Sequence, residues 1–313
     1  MKILLVILHA DPSRGGAERY TIDLANALQA GGHDISIAAQ TFSVPARSFQ
    51  QVSLPARGLT RSRVYKAFLD DLDNHLAGTK YDIVHAMLPV RLCDLYHPHA
   101  GIAGNLPGGI GTLINPRRRV FAQVEDVLLG SSDPPVVLSL SSYIDAQAKR
   151  AYPGHALRLE RLMNAVDLCR FNPDSVESVA LDAMGPIALI VAQDFDRKGV
   201  GPAIHAVNQI AGLTLLVVGG DNAAPYRSRG GSVIFAGATP DPRPYYKRAD
   251  LFVLPTRHDP CSLVVLEALA MGLPVITTKQ NGASDVMTPG VHGYVLDSGD
   301  DIPALTAAMK SVL

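Results

Sequence analysis

Three scarcities narrow the field. The chain has only three cysteines, Cys93, Cys169 and Cys261, an odd number set far apart. That spacing excludes a disulfide framework and a paired-cysteine zinc site, and it fits a reducing compartment. Net charge is almost absent, because 28 Lys and Arg face 29 Asp and Glu and leave −1. No global field recruits nucleic acid, so any cationic site must be local. Long apolar runs are missing as well. The six residues Ile3–Leu8, after Lys2, are too few for a signal-peptide core. No stretch approaches the roughly 20 residues needed to span a bilayer. The expected location is cytoplasmic, with at most peripheral contact on the inner face of the cytoplasmic membrane.

What is present is an ordinary globular composition, 47% apolar over 313 residues, enough for two cores. Ile3–Leu8 has no polar alternation, which marks a strand buried on both faces of a parallel sheet. A glycine-containing loop follows. Then Ala17, Tyr20, Leu24 and Leu28 recur at helical spacing until Gly31-Gly32, and Asp34–Ala39 reads as the next strand. This is a βαβ unit. Further strands are predicted at Tyr81–Met87, Pro135–Leu140 and Leu157–Met163, with a helix capped by Ser141 or Ser142. The polar stretch Asp167–Pro186, with turn signals at Asn172-Pro173 and Gly185-Pro186, divides the chain into residues 1–170 and 171–313. The second part restarts with Ile187–Ala192, a helix from about Val200 to Ile210, and strands at Leu213–Val218, Ser232–Ala236, Leu251–Leu254 and Val275–Thr277. Strands alternating with helices predict two doubly wound α/β domains, with ligands bound in the cleft between them at the carboxyl ends of the strands.

Three segments carry chemistry. In Asp250–Thr278, the run Leu263, Val264, Leu266, Leu269 and Ala270 follows Asp259-Pro260 and stops at Gly272-Leu273-Pro274. The spacing predicts a helix from Pro260 to Met271. Its free N–H groups and partial positive charge suit a phosphate. Glu267 falls two turns in, among apolar neighbours, where a carboxylate needs a partner. Plainer roles stand beside these: Asp259 as an N-cap, and Glu267 facing solvent. The second segment is Asp194-Phe195-Asp196-Arg197-Lys198-Gly199. Arg197 and Lys198 could hold a diphosphate, or simply pair with the aspartates of their own loop. The third is Ser13-Arg14-Gly15-Gly16-Ala17-Glu18. Its glycines could let backbone approach a ligand, or could serve a tight turn needing positive φ.

The histidines are less directive. His85 ends a strand, and His97 and His99 flank Pro98. A metal at His97-x-His99 has no carboxylate or third histidine near it in sequence, so the better reading is a histidine facing the cleft and bonding a hydroxyl. Arg57, Arg61, Arg63, Lys66 and Arg117–Arg119 form a local basic feature, either a solvated face or a contact for anionic lipid or an anionic acceptor.

Together these residues resemble glycosyltransferase family 4. The resemblance is carried by Ala249-Asp250-Leu251-Phe252-Val253-Leu254-Pro255, by Asp259 and Glu267 eight apart, and by Leu269-Ala270-Met271-Gly272-Leu273-Pro274-Val275-Ile276. Arg197-Lys198-Gly199 and Gly15-Gly16-Ala17-Glu18 match two further signatures of the family. Asp194–Val200 is most similar to its lipopolysaccharide core glucosyltransferases. The resemblance implies an α/β GT-B fold, two Rossmann-like domains facing a central cleft. It implies a retaining, metal-independent hexosyltransferase that uses a nucleotide-sugar donor, UDP-glucose favoured, and a saccharide or glycolipid acceptor such as lipopolysaccharide core. Asp259 and His99, with His97 as the alternative histidine, would then face the transferred sugar, while Arg197 and Lys198 neutralise the diphosphate. Gly15 and Gly16 would close over the phosphates, Ser262 and Leu263 would contact the donor at the helix start, and Glu267 would take the ribose hydroxyls. The chain departs from the family in carrying Asp259 where Glu is usual and in a short Asp221–Ala238 connection. The family also has a further helix after the segment Ile302–Val312.

Carboxylates that work as nucleophile and acid in a hydrolase sit ~5–5.5 Å apart. Residues eight apart across a helix start lie about 10 Å apart. Asp259 and Glu267 are therefore read as donor ligands. Two other functions remain in view: a sugar-nucleotide epimerase on the same fold, and a non-catalytic nucleotide-sugar-binding protein.

Overall fold

In the computed structural model, Ile3, Leu4, Leu5 and Val6 are buried on both faces of their strand, as an apolar run without alternation requires. The structure describes residues 1–43, 49–105, 116–183, 185–227 and 232–313. They form two units, Met1–Leu162 and Met163–Leu313. The division comes before residue 170 because Asn164 already belongs to the second unit, where its Nδ2 donates to the Cys261 carbonyl at 2.6 Å.

The first unit runs β1 (Lys2–Val6), β2 (His9–Ala10), α1 (Gly16–Ala30), β3 (Asp34–Ala39), β4 (Thr41–Phe42), β5 (Gln50–Ser53), α2 (Arg61–Gly78), β6 (Ile83–Ala86), β7 (Leu95–Tyr96), α3 (Pro116–Leu129), β8 (Val136–Ser139), α4 (Ser142–Ala151) and β9 (Arg158–Arg161). Seven strands form one parallel sheet in the order β5-β3-β1-β6-β7-β8-β9. Helix α1 packs Ile22 and Ala25 against Ile3, Leu5, Ile35 and Ile37. Ser141 caps α4, accepting from the Ile144 N–H at 3.3 Å.

The second unit runs β10 (Ile187–Val191), α5 (Val200–Val207), β11 (Thr214–Val218), α6 (Ala224–Arg227), β12 (Val233–Gly237), α7 (Arg243–Arg248), β13 (Leu251–Leu254), α8 (Leu263–Ala270), β14 (Val275–Thr278), β15 (Gly293–Leu296) and α9 (Ile302–Val312). Its parallel sheet has the order β12-β11-β10-β13-β14-β15. Between Asp221 and Ala238 the described residues hold the one-turn helix α6 and strand β12. Both sheets have a point at which strand order reverses, between β1 and β6 in the first and between β10 and β13 in the second. Ligands of such sheets bind outside the carboxyl ends of the strands at that point.

Helix α8 starts at Leu263, three residues later than the spacing predicts. Asp259 is not its N-cap. The Asp259 N–H donates to the Gln280 carbonyl at 2.8 Å and its carbonyl accepts from Gly282 at 2.9 Å, which keeps residue 259 out of the helix. The helix ends as read, with Gly272 left-handed at φ 78° and Pro274 beyond it.

Candidate functional site

At the reversal point of the second unit, two loops are laced together. The turn after β10 is closed by Lys198 N–H to Asp194 O and Val200 N–H to Phe195 O, both at 3.0 Å. Phe195 is buried beneath it. Gly199 has φ 80°, and a Cβ there would lie 2.3 Å from the Pro255 carbonyl oxygen. Only glycine lets this turn touch the loop after β13. The Arg257 N–H donates to the Arg197 carbonyl at 2.9 Å, and Arg197 Nη1 donates to the His258 carbonyl at 2.8 Å.

Lys198 Nζ forms an ion pair with Asp259 Oδ2, the carboxylate buried and the lysine mostly so. Burial alone would raise the Asp259 carboxyl, but Lys198 and then Arg197 outweigh it and hold it below the usual carboxylate value. The self-paired alternative for this loop is half right. Arg197 does reach Asp194, at 3.1 Å, whereas Lys198 turns to Asp259. Asp196 is taken by Arg257, which also forms a two-pronged pair with Asp300.

Helix α8 starts beside this pair. Buried Asn281 accepts from the Ser262 N–H at 3.2 Å and the Ala283 N–H at 3.1 Å, and it donates to Thr277 Oγ1 at 2.9 Å. The Ser262 main-chain donor is thus engaged, while its hydroxyl is buried without an aligned partner. Leu263 and Val264 open the helix with N–H groups that have no intrahelical acceptor. Glu267 does not simply face solvent. Its Oε2 accepts from the fully buried Tyr246 hydroxyl at 2.8 Å. Sequence reasoning missed Tyr246 and Arg257, since neither lies in a periodic run. For Asn281 the available signal was the Asn281-Gly282 pair soon after an apolar strand, which marks a turn.

The first unit presents different chemistry. Gly15 is the N-cap of α1 with extended backbone at φ 175°, and neither Gly15 nor Gly16 lies in the left-handed region, so the strained-turn alternative falls. A Cβ on Gly15 would meet Glu18 Oε2 at 3.0 Å. Burial raises the Glu18 carboxyl.

On β6 and after β7, three imidazoles gather. His97 donates its N–H to the Ala86 carbonyl at 2.8 Å, and the His99 N–H reaches the His97 carbonyl at 2.8 Å. The ring of His97 lies 5.5 Å from that of His85 and 4.2 Å from that of His99. Tyr20 of α1 packs on both, at 5.3 Å from His97 and 4.5 Å from His99. Burial drives His85 down to about 4 and His97 to about 3. It takes His99 well below the ordinary value too, with help from its two neighbours. The third histidine that seemed distant in sequence is therefore near in space. Among the described residues, no group of three or more His, Cys, Asp or Glu side chains is arranged to hold a metal ion.

In the basic feature, Arg57 pairs with Asp71, and Arg118 donates to the Asn105 carbonyl at 3.3 Å. Residues 106–115, which lead into Arg117–Arg119, lie outside the described residues. No helix among the described residues is long and apolar enough to cross a membrane.

Residues 14–170 match the family described as Glycosyltransferase Family 4, and residues 185–313 match that described as Glycosyl transferases group 1. The chain is 33% identical to the lipopolysaccharide core biosynthesis glycosyltransferase LpsE of Rhizobium meliloti (strain 1021), over 40% of each chain. Matches to two curated relatives cover only 40% and 54% of those proteins' lengths. The fold is similar to the crystal structure of WaaG, a glycosyltransferase involved in lipopolysaccharide biosynthesis, with a TM-score of 0.85 at 19% identity, covering 99% of this chain and 90% of that one. It is also similar to Anabaena Alr3699/HepE in complex with UDP and glucose, with a TM-score of 0.74 at 18% identity, covering 99% and 89%. Both units thus have the α/β architecture of GT-B glycosyltransferases.

Proposed function

The chain belongs to glycosyltransferase family 4, and from that premise we propose that it is a retaining hexosyltransferase. It moves a hexose from a nucleotide-diphosphate sugar, UDP-glucose favoured, to a saccharide or glycolipid acceptor such as lipopolysaccharide core. The C1–oxygen bond to the diphosphate breaks, a bond to the acceptor oxygen forms with retained configuration, and the acceptor hydroxyl gives up its proton. The observation that carries this reading is the Lys198–Asp259 pair at the start of α8, where the strand order reverses.

Charge grows on the departing diphosphate, so pre-placed donors there lower the barrier. Arg197, Lys198 and the first N–H groups of α8 supply them without a metal in the proposed reaction. The diphosphate takes over Lys198, and this frees Asp259 to meet the transferred sugar. Glu267, steadied by Tyr246, takes the ribose hydroxyls. In the first unit we assign Gly15 and Gly16 to the phosphates and His99 to the sugar. The names LpsE and WaaG support a lipopolysaccharide acceptor, and the HepE complex supports UDP. We place the protein in the cytoplasm, with peripheral contact to anionic membrane through the basic feature around Arg61 and Lys66.

The test is a thermal-unfolding panel of UDP, GDP, ADP and their glucose and mannose forms, with excess EDTA. A ligand at 100 times its dissociation constant stabilises by about 2.7 kcal/mol, a rise of several degrees at this size. One nucleotide series should raise the midpoint despite EDTA, and Glu267→Ala should weaken it at least tenfold. Unchanged affinity in that variant sinks the ribose assignment. Binding without transfer to any offered saccharide leaves a binding protein.

A further inference from the structure

His85 and His97 are almost wholly buried, at 5% and 0% exposure. His85 Nε2, both ring nitrogens of His97 and the buried Nε2 of half-buried His99 have no aligned hydrogen-bond partner. An unsatisfied buried polar group costs about 1–3 kcal/mol, and Phe or Leu would fill the same space without that cost. Three such residues in contact therefore call for a use.

The groups acting on these rings are few. His85 comes from β6, His97 and His99 from the segment after β7, and Tyr20 from α1. The Leu162 main chain lies beside His97, too poorly aligned for a hydrogen bond but close enough to favour its charged form slightly. Among the described residues no carboxylate and no cation acts on any of the three. His99, His97 and Tyr20 thus touch one another in a triangle of rings, and a proton on His99 would sit against a second, buried imidazole.

A neutral imidazole carries one donor and one acceptor. A hydroxyl can pair with either nitrogen, whereas a carboxylate or phosphate can pair only with the donor and meets no imidazolium charge to attract it. We propose that His85 and His97 are positioning residues that hold the His99 imidazole uncharged and in one orientation, so that it reads a sugar hydroxyl and rejects an anionic group. This rests on the assignment of His99 to the donor sugar made above.

The test uses 15N-labelled full chain without donor, with imidazole spectra followed from pH 8 to 5. His99 should keep its neutral pattern down to pH 5.5. In His97→Asp the new carboxylate should raise its midpoint to about 6.5 or above. His97→Asn, which removes the ring and admits water, should move it at least one pH unit towards 6.5. The kcat/KM profile should be flat from pH 8 to 5.5 in the parent and fall about tenfold over that range in His97→Asn. An ordinary His99 midpoint in the parent overturns the inference. So does a midpoint unmoved in both variants, or a variant that loses only melting temperature. Failure of every nucleotide sugar to bind sinks the donor assignment instead, and is read separately from the imidazole titration.

Discussion

In the second unit, the point where strand order reverses holds a buried cation–carboxylate pair, a helix start and two further arginines. In the first, the corresponding point leads to three neutral imidazoles and a tyrosine. One topology has been given two electrostatic characters. In the proposed reaction the charged edge stabilises the departing diphosphate, and the uncharged edge reads hydroxyls. The fold supplies a place outside the strand ends, and the loop residues decide its electrostatic character.

This contrast can be broken most forcefully at Lys198. Lys198→Ala leaves Asp259 buried without its partner, and such a loss costs about 3–5 kcal/mol. Denaturant unfolding should show that loss in the second unit, while Lys198→Met combined with Asp259→Leu restores most of it. An undiminished midpoint in the single variant means the pair is not the anchor of this edge.

Acid sharpens the contrast next. His85 titrates at about 4 in the folded chain and near 6.5 unfolded, so the unfolded state takes up its proton first. Its contribution is complete above pH 6.5 and is lost as pH falls towards 4, by about 3 kcal/mol in all. His97, at about 3, adds to the loss in the same direction. Asp259 is also lowered, so its contribution is complete above the unfolded value of about 3.9 and fades only below it. Hydrogen exchange at pH 5 should therefore show the first unit loosened relative to pH 7 and the second unchanged. Equal loosening of both units removes the distinction.

The smallest of the three effects is steric. Gly199→Ala puts a Cβ against the Pro255 carbonyl at positive φ and should cost about 2 kcal/mol. The same change at Gly15, whose backbone is extended and whose neighbour is the movable Glu18 side chain, should cost less than about 1 kcal/mol. Melting temperatures of the two variants check this order.

Much of the architecture was legible along the chain. Ile3–Leu8, Ile187–Ala192 and Leu251–Leu254 announced buried strands because apolar runs of that length have few other uses, and all three lie in the interior of their sheets, flanked by strands on both sides. Strand ends were less legible, since β1 stops at Val6 although Ile7 and Leu8 are equally apolar. The helix read from Pro260 starts at Leu263, because a bridge to Asn281, 22 positions away, claims Asp259. The charged residues of the candidate site were also legible, for Arg197, Lys198 and Asp259 stand in motifs. Their partners were not. Tyr246 supports Glu267 from another helix, and Arg257 ties Asp196 to Asp300, with nothing periodic to mark either.

The sequence by itself determined the class of fold, the family and the residues that carry charge, because apolar spacing and motif spacing are local properties of the chain. Only the tertiary structure decided who meets whom. Lys198 could have joined its neighbour Asp196 and instead meets Asp259, and His85 meets His97 across twelve residues. Side chains on adjacent parallel strands become neighbours through the register of the sheet, and that register is set by the packing of the whole unit.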